Sequence, residues 1–204
     1  MERKAHWERV YTTRSSTEVS WYQAEPTLAL DMLRTMGAGP TTAIMDVGGG
    51  DSTLVDAVLA EGLGRITVLD LSGAALARAR ARVGPQSDEV TWLEGDITTA
   101  VLPADSFDVW HDRAVFHFLT APEDRARYAA AAATALRAGG IALIATFAPD
   151  GPTRCSGLEV ERYTPEGLAR ELSDQFTLVR GVYDVHRTPA GGEQRFSVAT
   201  LRRR

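Results

Sequence analysis

From residue 42 onward, short apolar runs alternate with stretches of helical periodicity. The run Ile66-Thr67-Val68-Leu69 is nearly continuous in apolar character, which is typical of a buried parallel strand. This alternation predicts a parallel sheet with helices on both faces. The predicted strands are residues 42–47, 65–70, 90–93, 107–111 and 140–147.

Capping and turn residues place helices between these strands. Ser52 and Ser72 are suited to cap the helices after the first and second strands, because their hydroxyl oxygens can accept hydrogen bonds from a first helical turn. An alanine-rich helix is predicted to begin near Pro122. An earlier helix is predicted to begin after Pro26 and to end at Gly37.

The two ends of the chain differ from this repeating part. Residues 5–23 are rich in aromatic side chains and lack clear periodicity. After residue 147, a turn cluster precedes a helix that begins at Thr164-Pro165. The last segment is predicted to form a β-hairpin, with strands at residues 175–185 and 194–201.

The composition indicates one globular domain. Of the 204 residues, 44% are hydrophobic and 24% are charged, and the formal net charge of −5 has the wrong sign for binding nucleic acid through its phosphates. The charged start lacks the apolar stretch of an export signal, and no run is long enough to span a membrane. From the charge and the lack of such a run, we expect no nucleic-acid or membrane partner. Because Cys155 is the single cysteine, we expect a cytoplasmic protein.

A glycine-rich loop, residues 46–52, follows the first strand and opens a helix, which is where an open α/β sheet binds its ligand. Glycines let the backbone approach a ligand closely, although the same triplet also suits a mere tight turn. Two further acids, Asp70 and Asp96, follow the second and third strands. An acid at the position of Asp70 is suited to bind the hydroxyls of a ribose.

The residues of this loop argue against a dinucleotide. The dinucleotide fingerprint needs a third glycine where Thr53 stands, and Asp46 and Asp51 would repel a pyrophosphate. S-adenosylmethionine, which carries an ammonium, a sulfonium and a ribose, suits these acids better. A nicotinamide oxidoreductase is the alternative.

Four successive motifs, D-V-G-G-G-D-S, V-L-D-L-S, E-G-D-I and F-D-V-W-H-D-R, resemble those of the class I, seven-stranded S-adenosylmethionine-dependent methyltransferases. The pattern is similar to that of small bacterial members related to the citrate-synthase and elongation-factor lysine methyltransferases. The resemblance implies a single doubly wound, Rossmann-like α/β sheet, mostly parallel with an antiparallel C-terminal hairpin strand. Residues 1–40 would form an N-terminal cap and helix, 41–147 the cofactor-binding core, and 148–204 the acceptor side.

The strand-end residues are the candidates for binding S-adenosylmethionine. By resemblance, Asp46 and the glycine backbone would hold its methionine end, Asp70 its ribose and Asp96 its adenine amino group. Asp51 and Asp96 could instead cap a helix or a turn, and Asp70 could be a turn residue. The candidate cofactor-binding residues are Asp46, Gly48, Gly49, Gly50, Asp51, Asp70, Leu71, Asp96, Ile97, Asp112 and Trp21.

Methyl transfer from a sulfonium is an in-line displacement that needs an aligned acceptor and no protein nucleophile. His111 and His117 are candidate general bases, because an imidazole takes up a proton near neutral pH. Alternatively, His111 and Asp112 line the methionine side of the cofactor, as the resemblance suggests, and His117 is a packed core histidine. No metal site is predicted, because these residues lack a recognised ligand spacing.

Residues after 147 are expected to supply the acceptor pocket, with Cys155 either in the site or a small structural residue. Trp7, Tyr11, Trp21 and Tyr22 are predicted to form a lid over the cofactor, or else to pack the N-terminal segment on the sheet. A small-molecule acceptor is predicted, because the chain has no added recognition domain and no basic surface signal. A protein lysine acceptor and a catalytically silent S-adenosylmethionine-binding protein are the alternatives.

Overall fold

The computed structural model describes residues 2–204 and contains one seven-stranded sheet, with the strand order β3-β2-β1-β4-β5-β9-β8. A separate two-stranded hairpin, β6-β7, follows β5. The strands are β1 (Ala43–Val47), β2 (Arg65–Asp70), β3 (Thr91–Glu94), β4 (Phe107–Arg113), β5 (Leu136–Phe147), β6 (Arg154–Cys155), β7 (Leu158–Glu159), β8 (Phe176–Arg187) and β9 (Glu193–Arg203).

Six α-helices and two short 3₁₀ turns accompany these strands within residues 2–204. The helices are α1 (Glu2–Thr13), α2 (Thr27–Thr35), α3 (Leu54–Glu61), α4 (Gly73–Val83), α5 (Pro122–Ala135) and α6 (Pro165–Glu171). The 3₁₀ turns cover Gly84–Glu89 and Phe116–Phe118. No helix among these residues combines the length and the apolar content that crossing a membrane requires.

The first five strands pair in parallel, and the last two are antiparallel. The predicted fold class is therefore confirmed: an α/β, Rossmann-like sheet, mostly parallel, with an antiparallel C-terminal hairpin. Because β1 to β4 run in the same direction, their carboxyl ends meet at one edge of the sheet. This edge carries the acids that the sequence analysis selected.

Side chains that alternate along each strand build one apolar layer on each face of the sheet. Ile44 and Val109 pack with α2 and α3 on one face, whereas Met45 and Trp110 pack with α5 on the other. The same alternation puts Asp46, His111 and Arg113 on the α2–α3 side, two or four positions after these core residues. Those three polar side chains therefore lie together at the end of β1 and β4.

The predicted cap is confirmed at Ser72 but was wrong at Ser52, because the N-cap residue of α3 is Thr53, which makes no side-chain cap bond. Thr164, at the predicted start of α6, is a further cap. The Ser72 hydroxyl accepts a hydrogen bond from the amide of Ala75, at 3.1 Å, at the start of α4. The Thr164 hydroxyl accepts one from the amide of Gly167, at 3.0 Å, at the start of α6. These bonds satisfy amides that a helix leaves free at its first turn.

Several predicted strand limits were wrong. β8 and β9 each end two residues later than predicted, at Arg187 and Arg203, because Arg187 pairs with Glu193 and Arg203 with Phe176. β4 continues two residues beyond His111 to Arg113, because its pairing with β5 extends to Ala145. β5 begins at Leu136 rather than near Gly140, because Leu136 pairs with Phe107 ahead of an irregularity in the ladder.

Helix α1 was not predicted. Only Val10 and Tyr11 are buried in it, so the helix has no apolar stripe for a sequence pattern to reveal. Polar contacts hold α1 across the carboxyl edge of the sheet instead. The Glu8 carboxylate accepts hydrogen bonds from the Ser72 hydroxyl, at 2.7 Å, and from the amide of Ala74, at 3.2 Å. Helix α1 thereby covers the edge where the strand-end acids lie.

Candidate functional site

A cleft lies between the carboxyl edge of the sheet and α1. Its larger compartment, about 770 Å³, extends along the ends of β2 and β3. Its smaller compartment, about 580 Å³, lies at the glycine loop after β1. Both are lined by Tyr11, Trp21, Val47, Gly48 and Arg113, so the compartments join at these residues.

The glycine loop lies so close to other groups that side chains do not fit. A Cβ atom on Gly48 would collide with Val115, and one on Gly49 would lie 2.7 Å from a methyl carbon of Val68 and closer still to the Asp46 carboxylate. Gly48 also has a positive φ of 65°, which favours glycine. At Gly48 and Gly49, the smaller compartment is therefore lined by backbone atoms without side chains.

Asp46 and His111 form a buried pair at this floor. The Nδ1 atom of His111 lies 2.7 Å from Oδ1 of Asp46, and the residues are 8% and 2% exposed. The other carboxylate oxygen, Oδ2 of Asp46, is buried and has no hydrogen-bond partner within residues 2–204. Because an unpartnered buried acceptor is costly, this atom is suited to a donor on a ligand.

The Asp70 carboxylate lines the larger compartment at the end of β2. Its Oδ1 accepts a hydrogen bond from the amide of Ser72, at 2.8 Å. Burial raises the pKa of Asp70 to about 7, and the nearby negative charges of Asp46 and Glu8 add to the rise. A ligand that donates hydrogen bonds here would favour the ionised form.

Leu71, Asp96 and Ile97, the residues predicted to bind adenine, line the same compartment. The Oδ1 atom of Asp96 accepts hydrogen bonds from the amide and the hydroxyl of Thr98, at 2.9 Å and 2.7 Å. Its Oδ2 atom makes no hydrogen bond within residues 2–204. Asp96 therefore shapes a turn and still has an acceptor for a ligand.

Two candidate residues, Asp51 and Asp112, have carboxylates that are hydrogen-bonded to other residues of the chain. Asp51 borders the smaller compartment, but its carboxylate is bonded to Arg82 and to the hydroxyl of Ser16. Asp112 lies outside both compartments, on the α5 side of the sheet. It accepts hydrogen bonds from the Tyr128 hydroxyl, at 2.6 Å, and from the amides of Val115 and Phe116, at 2.8 Å and 3.1 Å.

His117 is also outside the cleft. It is fully buried, with its ring against Phe118 and Phe147, and its Nδ1 accepts a hydrogen bond from the amide of Phe147, at 3.4 Å. Burial lowers the pKa of His117 to about 3, and the positive charge of Arg113 contributes. The arrangement is that of the packed core histidine, whereas His111 lines the smaller compartment.

Aromatic side chains cover the cleft. The Trp7 ring lies 5.2 Å from that of Phe118 and 5.7 Å from that of Trp21, and Tyr11 lies 6.2 Å from both tryptophans, measured between ring centroids. Trp7, Tyr11 and Trp21 line the cleft and pack on one another, and their role as a lid over a cofactor stays a prediction. Tyr22 borders only the smaller compartment.

Arg3 and Leu119 also line the larger compartment and were not predicted. Arg113 and Val115 line it too; they lie in the segment at the end of β4 that supplied His111 and His117, but neither was assigned a role. A signal for Arg113 was present, because it stands two positions after His111 and must share its face of β4. Cys155, from the β6-β7 hairpin, also lines the compartment.

The comparisons with known proteins agree with this fold. Residues 44–140 match the family model described as a methyltransferase domain. A search of the curated proteins finds no match. Among solved structures, the chain is similar to an S-adenosylmethionine-dependent methyltransferase from Anabaena variabilis, with a TM-score of 0.77 and 15% identity over 100% of this chain and 96% of that one.

Two other similar structures were solved with S-adenosylhomocysteine. One is the 1,6-didemethyltoxoflavin-N1-methyltransferase of Burkholderia thailandensis, which also holds 1,6-didemethyltoxoflavin, with a TM-score of 0.69 and 20% identity over 99% of this chain and 84% of that one. The other is the N-methyltransferase NodS of Bradyrhizobium japonicum, with a TM-score of 0.71 and 15% identity over 96% of this chain and 97% of that one.

The chain thus has the class I, Rossmann-like methyltransferase fold. Its residues 44–140, just under half of the chain, match the methyltransferase-domain model.

Proposed function

We propose that the chain is an S-adenosylmethionine-dependent methyltransferase that acts on a small-molecule acceptor and releases S-adenosylhomocysteine. The observation that carries the proposal is the Asp46 carboxylate, which is buried beside the glycine loop with its Oδ2 unpartnered among residues 2–204. A ligand ammonium would satisfy that oxygen. Asp70, at the end of the neighbouring strand β2, offers a second hydrogen-bond acceptor.

The residues along the cleft fit S-adenosylmethionine. When bound, it supplies a methyl group made electrophilic by a sulfonium sulfur. Asp46 would hold its ammonium, and Asp70 its ribose hydroxyls. Asp96 would bind the adenine amino group, which Leu71 and Ile97 would flank. The two similar structures described with S-adenosylhomocysteine support this assignment.

The part of this chain in the reaction is to align the acceptor, exclude water and take up a proton. The aromatic cover of Trp7, Tyr11 and Trp21 keeps the cleft apolar where it meets solvent. His111 is held through Nδ1 by Asp46, so its Nε2 is the nitrogen that would accept a proton from the acceptor. Tight alignment of the acceptor would supply most of the rate.

A small acceptor is favoured over a protein lysine by the shape and charge of the cleft. Helix α1 covers it, and Trp7, Trp21 and Phe118 give it an aromatic lining. The cation of Arg113 lies where its compartments join and would repel a lysine ammonium. One similar structure is described with a small organic acceptor bound, which supports the same class. A cytoplasmic location and the absence of nucleic-acid or membrane partners stay predictions.

Calorimetric titration tests the cofactor part of the proposal. We expect S-adenosylhomocysteine to bind the chain one to one with a Kd on the order of micromolar, about −8 kcal/mol, and NAD to bind far more weakly. Binding of NAD alone, or of neither, would contradict the proposal.

Labelled S-adenosylmethionine tests the acceptor. The protein is incubated with the labelled methyl donor and either a metabolite extract or a proteome from which small molecules have been removed. We expect label in a small molecule and none in a protein band. Label in a protein would favour the lysine alternative, and measurable binding without any transfer would favour a silent binding protein.

A further inference from the structure

Arg113 is a cation inside the cleft with an unsatisfied hydrogen-bond donor. It is the last residue of β4 and lines both compartments where they join. Its Nη1 donates to the backbone oxygen of Trp21, at 3.0 Å, and its guanidinium lies 4.7 Å from the ring centroid of Phe196. Its Nη2 is shielded from solvent and has no hydrogen-bond partner among residues 2–204.

No carboxylate neutralises this cation at close range. Among residues 2–204, no acidic oxygen lies within ion-pair distance of Arg113. Asp184 acts on it only from further away, and the thiol of Cys155 has a pKa raised by burial to about 11, so it is uncharged near neutral pH. Burial lowers the pKa of Arg113 to about 10, which still leaves it protonated at neutral pH. The cleft therefore holds one positive charge that lacks a close counterion.

A second donor nearby lacks a partner. Since Nδ1 of His117 accepts the amide hydrogen of Phe147, the proton of the neutral ring is on Nε2. That Nε2 is also buried without a partner within residues 2–204, and the charge of Arg113 is near enough to lower the pKa of His117. Because His117 lines neither compartment, only the donor of Arg113 is placed to meet a ligand in the cleft.

Two neighbours of Arg113 come from the part of the chain that the resemblance assigns to the acceptor side. Phe196 lies on β9 and Cys155 on the β6-β7 hairpin, both in the part of the chain after β5. The suggested ammonium site at Asp46 is on β1 and already has His111 beside it. The compartment that Arg113 lines is also lined by the side chains of Trp7, Trp21 and Phe118, which favour a flat apolar body attached to the anion.

We propose that Arg113 binds a carboxylate of the methyl acceptor, so that the substrates are aromatic carboxylic acids. The inference rests on the proposed methyltransferase function. A guanidinium binds a carboxylate through two parallel hydrogen bonds, which both neutralises the cation and fixes the orientation of the acid. The other source of a carboxylate in this cleft is the amino-acid part of the cofactor, and the experiment must separate the two.

The first arm tests the cofactor as the source. S-adenosylhomocysteine and 5′-methylthioadenosine, which lacks the amino acid, are titrated into the wild-type protein and into R113Q, R113K and R180Q. Arg180 is exposed and has no side-chain hydrogen bond among residues 2–204, so R180Q is a control for the loss of one charge. We expect S-adenosylhomocysteine to bind R113Q within about threefold of wild type, because the nucleoside makes no ion pair there. A loss of about tenfold or more with methylthioadenosine unchanged would assign Arg113 to the cofactor and overturn the proposal.

The second arm tests the acceptor. The S-adenosylhomocysteine-loaded protein is titrated with benzoate, 4-hydroxybenzoate and indole-3-carboxylate, and with the primary amide of each, by saturation-transfer NMR. We expect at least one acid to bind the wild type and R180Q about tenfold more tightly than its amide, and R113Q to lose that preference. R113K, which keeps the charge without the planar fork, should retain part of it.

Equal binding of acids and amides, or no acid binding to the loaded wild type, would overturn the proposal. The comparison of acid with amide on the wild type does not depend on any variant folding. A protein that fails to bind S-adenosylhomocysteine would instead overturn the proposed methyltransferase function.

Discussion

At the scale of single residues, Asp70 is a carboxylate whose burial opposes folding. Its pKa of about 7 lies above the ordinary value of 3.8, so between these values the folded chain holds a proton that the unfolded chain has lost. The free energy of unfolding contributed by Asp70 therefore falls as the pH rises from about 4 to about 7 and then stays low. A buried carboxylate that lowers the stability of the folded chain in this way is typical of a binding site.

Replacing this carboxylate should separate stability from binding. We expect Asp70→Asn to raise the thermal midpoint of the ligand-free protein at pH 8, by several degrees, with the gain vanishing near pH 4. The same variant should bind S-adenosylhomocysteine more weakly by about 1–3 kcal/mol, because a charged acceptor of hydrogen bonds is lost. Thermal unfolding at several pH values and calorimetry measure the two effects. A variant that is less stable than wild type at pH 8 would contradict the raised pKa of Asp70, and one that binds equally well would remove Asp70 from the site.

Asp112 shows a different use of a buried acid. The Tyr128 hydroxyl donates to Asp112 and accepts from the indole nitrogen of Trp110, at 2.8 Å, so the three side chains form a buried chain of hydrogen bonds. Asp112 in turn holds the amides of Val115 and Phe116, which begin the loop beside the cleft. Burial raises the pKa of Asp112 to about 6, and the Tyr128 hydrogen bond is the main effect that opposes the rise.

We expect Tyr128→Phe to lower the stability by about 1–3 kcal/mol, since it leaves a buried carboxylate with one fewer donor. The pKa of Asp112 should rise further, so the loss should be larger at pH 8, where the carboxylate is ionised, than at pH 5. Denaturant unfolding at both pH values measures this. Tyr183→Phe is the matched control, because Tyr183 is exposed on β8. An equal loss at both pH values would show that Asp112 does not depend on this bond.

At the scale of elements, α1 owes its position to polar contacts. Glu8 caps the start of α4 across the cleft, and Arg3 forms an ion pair with Asp124 at the start of α5. We expect Glu8→Ala to reduce stability by about 1 kcal/mol, the usual effect of losing a cap, and to speed amide hydrogen exchange in α1. Arg9→Ala, an exposed change on the same helix, is the control. Unchanged exchange in Glu8→Ala would mean that the other contacts of α1, the ion pair of Arg3 and the aromatic packing, are sufficient to hold the helix.

The sequence predicted those elements whose signals are local. Ser72 and Thr164 begin their helices because a cap acts within one turn, and the buried strand at residues 65–70 reads as a continuous apolar run. Helix α1 was missed because its contacts are with residues far along the chain. The early start of β5 depends on pairing with β4, which no local pattern records.

At the scale of the whole molecule, the parallel order of β1 to β4 brings distant residues to one edge. The acids at Asp46, Asp70 and Asp96 were predictable, because position at a strand end is visible in the sequence. The burial of Asp112 and His117 was not predictable, because it depends on the face of β4 that Asp112 occupies and on the path of the loop that carries His117. Arg113 became a candidate only when its unpartnered nitrogen was located.

The direct test of the central claim is a crystal structure of the protein with S-adenosylhomocysteine bound. We predict that the ammonium lies within hydrogen-bond distance of Oδ2 of Asp46, that the ribose hydroxyls contact Asp70, and that adenine lies between Leu71 and Ile97. A nucleoside bound outside this cleft, or inside it with Asp46 and Asp70 untouched, would contradict the account.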